Sequence, residues 1–344
     1  LTIIVAPATL EFNVTNVTVN YPNKGTVNVR SNVDGIYNVS VNNVIYQVTV
    51  GNGEGSFEVQ EQLPVGEYVI SWNIPEGNYT SASGTGFYNV TAPAPEFDIT
   101  GSAEINYGQT NTITHTITEG ATGTITYTVN DVNKGTLGLD ENLVLENLDA
   151  GHYVVVAAYS GGGNYGPTSD TFEFDVLPID VSVPVSSPEV VYPNRGTILL
   201  NASAAGEYIV KVGDKNYTAT VETAGTPVEV PVRDYLEAGT YDISVTADLG
   251  NNYKPVDTGK IGTYTVTKPV PTLIINVENF IYGEENKWAY IFLKDGENPL
   301  RIKNVNVTVD DFKQTVTTQM EGDAGVLLTS LSVGTHNIVA IFEG

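Results

Sequence analysis

A six-residue pattern, Leu-x-x-Gly-x-Tyr, returns along this chain and constrains its fold more than any other feature. It stands at Leu63, Gly66 and Tyr68, at Leu148, Gly151 and Tyr153, and at Leu236, Gly239 and Tyr241. A fourth copy reads Leu331, Gly334 and His336. Successive glycines lie 85, 88 and 95 residues apart, a period that suits one small β-sandwich per repeat and is too long for a solenoid turn or a propeller blade. Two further boxes keep step with it. An early turn reads Tyr21-Pro22-Asn23-Lys24-Gly25, Tyr107-Gly108-Gln109, Tyr192-Pro193-Asn194-Arg195-Gly196 and Tyr282-Gly283-Glu284. About a strand length after the first pattern come Gly77-Asn78-Tyr79, Gly163-Asn164-Tyr165 and Asn251-Asn252-Tyr253, with no fourth copy before Gly344.

A turn glycine followed two residues later by a tyrosine at the start of a strand is the tyrosine corner of immunoglobulin-like domains, whose phenol ties the E–F connection to the backbone. Tyr68, Tyr153 and Tyr241 are therefore expected to be buried rings with hydroxyls bonded to backbone, and His336 to occupy the same place with weaker packing. Val, Ile, Thr and Tyr are plentiful and no long stretch has a helical period, so the class is all-β. The expectation is four tandem immunoglobulin-like β-sandwiches arranged as a rod: residues 7–93, 94–177, 178–269 and 270–344. In the first, strand A covers about Thr9 to Thr18, B Thr26 to Asn32, C Ile36 to Val41, C′ Val44 to Val50, E Gly55 to Gln60, F Glu67 to Asn73 and G Gly84 to Val90. In the fourth, Lys294–Pro299 lengthens the B–C connection.

The chain has no cysteine, so each sandwich must hold its sheets together without the B–F disulfide of antibody-type domains. Ile70, Val155, Ile243 and Ile338 stand where that cysteine would fall, opposite strand-B aliphatics such as Val27, Val29, Ile198 and Leu200. Between repeats there are only Ala92-Pro93-Ala94-Pro95, Leu177-Pro178 and Lys268-Pro269-Val270-Pro271, short proline junctions that favour a stiff, extended passage.

The corner, the Gly-Asn-Tyr box, the Tyr-Pro-Asn-Lys/Arg-Gly turn, the acidic Asn/Thr-rich composition and Asp295-Gly296-Glu297-Asn298-Pro299 together resemble the immunoglobulin-like repeats of archaeal adhesin-like surface proteins, those of methanogens especially. Related repeats occur in bacterial surface proteins. The resemblance implies a cell-surface, extracellular setting, and covers stalks, adhesins and filament segments alike. The departures from it are His336 in place of tyrosine and the missing last hairpin of repeat four.

Forty acidic against fifteen basic residues give a formal charge of −25, which leaves no basic stripe for nucleic acid. No run of eighteen apolar residues is present to span a bilayer. His115, His152 and His336 fall on unrelated strands or turns, and no nucleophile elbow or phosphate loop occurs, so neither a catalytic site nor a cofactor site is expected. Weak structural calcium at acidic turns such as Asp140-Glu141 and Asp310-Asp311 ranks below a solvated turn, because an alternating-acid loop is lacking. Eight sequons offer glycosylation acceptors at Asn13, Asn16, Asn38, Asn78, Asn89, Asn201, Asn216 and Asn306. About five would arise by chance from this Asn and Ser/Thr content, so their weight comes from the surface setting the resemblance implies.

The reading is a non-enzymatic extracellular rod or filament segment of a cell-surface adhesin. Ligand- or carbohydrate-binding adhesin domains, or the accessory stalk of a secreted enzyme, are the alternatives, and a host or partner-cell surface is the external partner. The two ends are out of frame with the repeats. Leu1, Thr2, Ile3, Ile4, Val5 and Ala6 read like the close of a strand G, as in Gly86–Thr91, while repeat four runs only through its strand F. Either the array continues, or these six residues are a donor strand for repeat four of a neighbouring molecule, joining copies head to tail.

Overall fold

The computed structural model describes residues 1–344 and is built of strands without a helix. Side-chain alternation accounts for the strands. In Thr26–Ser31 every second residue, Val27, Val29 and Ser31, is buried and those between are exposed. Asn42 and Asn43 close a two-residue hairpin with φ of 49° and 65°, a left-handed geometry that asparagine tolerates and whose twist matches the strands it joins.

Repeat one comprises β1 (Phe12–Val14), β2 (Val17–Asn20), β3 (Thr26–Ser31), β4 (Gly35–Val41), β5 (Val44–Val50), β6 (Glu54–Glu58), β7 (Gly66–Ile74) and β8 (Ala82–Thr91). One sheet runs β1-β3-β6 and the other β2-β8-β7-β4-β5. All neighbours are antiparallel except β2 and β8, which pair in parallel from Val17↔Tyr88 to Asn20↔Thr91. Strand A is therefore not the continuous element expected from Thr9 to Thr18. It breaks at Thr15–Asn16 and its halves join different sheets. The Asn16 side chain makes the step: Oδ1 accepts the Phe87 N–H at 2.9 Å, a side-chain bond standing in for a ladder bond where the chain crosses over.

Repeats two and three repeat this topology. The small sheets are 97–100, 111–117 and 143–145, then 185–186, 197–200 and 228–231. The larger sheets again open with a strand parallel to the last one, Glu104–Asn106 along Asp175–Leu177 and Val190–Val191 along Val266–Thr267. In repeat four the lengthened connection folds back as a tight hairpin, with Asp295 opposite Asn298 and Lys294 opposite Pro299. Its second sheet has only three strands, and Ile338–Ile341 pairs with Asn304–Val309 alone, so the far edge of this strand is open.

Four hydrophobic cores result, one per repeat. Ile70, Val155 and Ile243 are fully buried, each in the same core as strand-B residues such as Val27, Ile113 and Ile198. Each such side chain contributes about 1.5–3 kcal/mol by leaving water, which links the sheets where a disulfide is absent. The residues group into two compact units, Leu1–Ile179 with Gly250–Lys254, and Asp180–Leu249 with Pro255–Gly344.

Candidate functional site: the repeat corner and its junction

In three repeats the corner phenol donates to the carbonyl four residues back: Tyr68 to Pro64 at 2.8 Å, Tyr153 to Asp149 at 2.9 Å and Tyr241 to Glu237 at 2.8 Å. The rings are half-buried, not buried as expected. They share the inward face of their strand with Ile70, Val155 and Ile243 and pack, partly buried, against the same cores near the strand's start.

His336 keeps the carbonyl bond, with Nε2 at 2.9 Å from Ser332 O, and adds another, with Nδ1 at 2.6 Å from Asp310 Oδ2. Both ring nitrogens face acceptors, so the imidazolium is the form that satisfies both. The Ser332 carbonyl first, and then Asp310, raise the His336 pKa above its ordinary value. Asp310 also accepts the Asn337 N–H at 2.9 Å; that bond, followed by His336, holds its carboxyl below the usual range. The Asp310-Asp311 turn is thus the hairpin between the two strands 304–309 and 312–317, and it grips the corner.

The remaining sequence candidates lie apart. His115 Nε2 sits 3.1 Å from Leu139 O, and His152 Nδ1 pairs with Asp175 at 2.8 Å on the surface. Glu141 accepts the Gly138 N–H at 2.8 Å. No three His, Asp or Glu side chains gather where they could hold a metal ion. Seven of the sequon asparagines are exposed and Asn89 is half-buried. No helix is long and apolar enough to cross a membrane.

What sequence reading missed is the work of the Gly-Asn-Tyr box. Asn164 of repeat two accepts the Val65 N–H, in the corner of repeat one, at 2.9 Å through Oδ1. Beside it Tyr165 meets Tyr21 of repeat one edge-on, centroids 5.8 Å apart and planes at 87°. The same lock recurs within the first compact unit. Asn252 Oδ1 accepts the Ala150 N–H at 2.6 Å, Asn252 Nδ2 donates to Asp149 at 2.9 Å, and Tyr253 meets Tyr107 at 5.6 Å and 71°. The register of the box and of the early-turn tyrosines was the available signal, since two boxes keeping step can be two halves of one contact.

The box also fixes the incoming chain. Thr80, Gly166 and Lys254 donate their N–H groups to the carbonyls of Ala8, Pro93 and Ile179 at 2.8, 2.8 and 2.9 Å. Ala8, Pro93 and Ile179 are therefore equivalent, and each lies two residues beyond Ala6, Thr91 and Leu177, of which the last two end a strand G. In this register Ile3 and Val5 correspond to Tyr88 and Val90 and to Phe174 and Val176, the inward pairs of strand G. Leu1–Ala6 itself pairs with no strand, and Leu1, Ile3, Ile4 and Val5 are at least 82% exposed.

No family model matches the chain, and no curated protein matches it. Among solved structures, the D1–D4 ectodomain fragment of ICAM-5 is 12% identical over 97% of this chain and 98% of its own, with a TM-score of 0.34. The fibronectin(III)-like modules of Clostridium thermocellum CbhA are 12% identical over 50% of this chain and 95% of theirs, with a TM-score of 0.21. A mutant of Salmonella alpha-2-macroglobulin is 11% identical over 98% of this chain and 30% of its own, with a TM-score of 0.22. The strand order and pairing described above define the class: a tandem array of immunoglobulin-like β-sandwiches.

Proposed function

We propose that the chain is a non-enzymatic extracellular structural protein, a segment of a cell-surface adhesin rod or filament, whose copies join head to tail when Leu1–Ala6 of one completes repeat four of the next. The observation that carries this reading is the open edge of Ile338–Ile341. Beside it lies a cleft of ≈ 390 Å³ lined by Phe280, Leu328, Leu331 and Ile338 among others. An open edge beside a cleft with apolar groups in its lining is where an added strand gains both ladder bonds and burial.

Position-specific fit supports it. Gly25 and Gly196 donate their N–H groups to the strand-G hydroxyls of Tyr88 and Tyr264 at 2.6 and 2.7 Å, and a Cβ at either glycine would come within 3.0 Å of that oxygen. The equivalent residue in repeat two is Asn111, and the strand-G residue is Phe174, without a hydroxyl. In repeat four the equivalent, opposite Leu328, is Lys287. A side chain there calls for an incoming residue without a hydroxyl, and Ile3 is one. The early-turn amides agree: Tyr21, Tyr107 and Tyr192 donate to the last residue of their strand G, and in the proposed assembly the Ala6 carbonyl would be the acceptor for the Tyr282 N–H.

Sedimentation velocity of the full chain and of the Ile3→Asp/Val5→Asp variant tests this. The reading expects concentration-dependent oligomers for the former and monomers for the latter. Equal sedimentation of the two at every concentration would refute strand addition and leave the contacts to a continuous array.

A further inference from the structure

The lock joins repeat one to repeat two and repeat two to repeat three, and the box of repeat one and the corner of repeat four take no part in it. In repeat one the Asn78 side chain makes no hydrogen bond and is exposed, and Tyr79 is 39% exposed, whereas the engaged Asn164, Tyr165, Asn252 and Tyr253 are all half-buried. In repeat four the receiving groups are equally bare. Val333, which precedes the corner glycine as Val65 and Ala150 do, is 83% exposed, and its N–H has no partner. Tyr282, equivalent to Tyr21 and Tyr107, is 73% exposed.

We propose that the Asn78–Tyr79 loop docks onto the corner of repeat four in a second copy of this chain, with Asn78 Oδ1 accepting the Val333 N–H and Tyr79 meeting the Tyr282 ring edge-on. The occupant follows from the contact already made twice within the molecule, with the same residue types on both sides. It rests on the head-to-tail reading and deepens it. A donated strand ending at Ala6 delivers Ala8, and Ala8 is bonded to the Asn78 loop through Ala8 N–H to Asn78 O at 3.1 Å and Thr80 N–H to Ala8 O at 2.8 Å. Repeat one of the donor then stands to repeat four of the acceptor as repeat two stands to repeat one. The strand supplies burial, and the loop fixes the angle between molecules.

Asn78 is also the one box asparagine inside a sequon, Asn78-Tyr79-Thr80. A glycan on its Nδ2 would fill the space the corner needs, so the proposal requires assembled chains to carry Asn78 unmodified.

The test uses the full chain in sedimentation equilibrium with Asn78→Ala, Tyr79→Ala, Tyr282→Ala and the Tyr79→Ala/Tyr282→Ala pair, all at exposed positions. Circular dichroism checks that each variant is folded. The tyrosine variants are expected to weaken association about tenfold each, and the pair no more than either alone, because the two rings form one contact. Unchanged association in the single variants, while Ile3→Asp/Val5→Asp abolishes it, overturns the lock and leaves strand addition standing. Additive tyrosine effects, or assembled material glycosylated at Asn78, also overturn it. If the unaltered chain stays monomeric, both proposals fall together.

Discussion

The Asn164 side chain receives the Val65 backbone N–H at 2.9 Å, so a loop of repeat two closes the corner of repeat one across 99 residues of sequence. The corner thereby has two tasks. Its tyrosine fixes the turn inside a repeat, and its backbone amide holds the repeat that follows. A proline junction alone limits how far the chain bends. An asparagine and an aromatic pair beside it select one direction.

Removing that side chain tests the coupling. Asn164→Ala leaves the half-buried Val65 N–H without its partner and should cost on the order of 1 kcal/mol. Hydrogen exchange at the Val65 amide should speed up while amides in the core of β7 keep their protection. Exchange unchanged at Val65 would mean the bond is not held in solution.

The corner hydroxyls make a second prediction. Tyr153→Phe deletes the bond to Asp149 O but keeps the ring stacked on Phe174, centroids 5.3 Å apart. Denaturant unfolding should show a loss of about 1 kcal/mol at unchanged m-value. No change in midpoint would make the phenol a surface residue.

Gly25 is tested by a single methyl. A Cβ there would lie 2.7 Å from Val19 Cγ1, 2.8 Å from Val17 Cγ1 and 2.9 Å from the Tyr88 hydroxyl. Gly25→Ala should therefore destabilise repeat one by about 1–3 kcal/mol, the usual range for overpacking. An unchanged midpoint in calorimetry would show that the neighbours of Gly25 yield to the methyl without cost.

The pH dependence of repeat four follows from His336 and Asp310. The histidine's folded pKa is raised, so its contribution is fully present below the unfolded value of about 6.5 and is lost as pH rises through the higher folded value. Asp310 is lowered, so its contribution holds above about 3.9 and is lost as pH falls through the lower folded value. The pair should stabilise repeat four most between about pH 4 and pH 6.5. His336→Tyr should flatten the alkaline side while keeping the Ser332 bond; an unchanged pH profile in that variant would contradict the assignment.

Much of the fold was legible because it is written in short range. Alternation, the glycine of the corner and the asparagine pair of the hairpin act over a few residues and recur in step. The break of strand A at Asn16 was hidden, because its cause is a side-chain bond to Phe87, 71 residues away. The role of Asn164 and Asn252 was hidden for the same reason: their partners lie in the preceding repeat, and nothing local distinguishes a loop asparagine that bonds across a junction from one that faces water. The half-exposure of Tyr68, Tyr153 and Tyr241, near the start of their strands, depends on what the rest of the fold lays over them, which the periodicity of one strand does not report. At the ends of the chain, the inward positions Ile3 and Val5 came from the spacing to Ala8, a contact only the folded chain displays.

The central claim, that residues 1–6 complete repeat four of another copy, is tested most directly by deleting Leu1–Ala6 and measuring molar mass by sedimentation equilibrium across a wide concentration range. The account predicts that the full chain forms species of increasing mass while the deleted chain stays at the 36.8 kDa scale of one copy with its first three cores still folded. A deleted chain that assembles as the full chain does would contradict it.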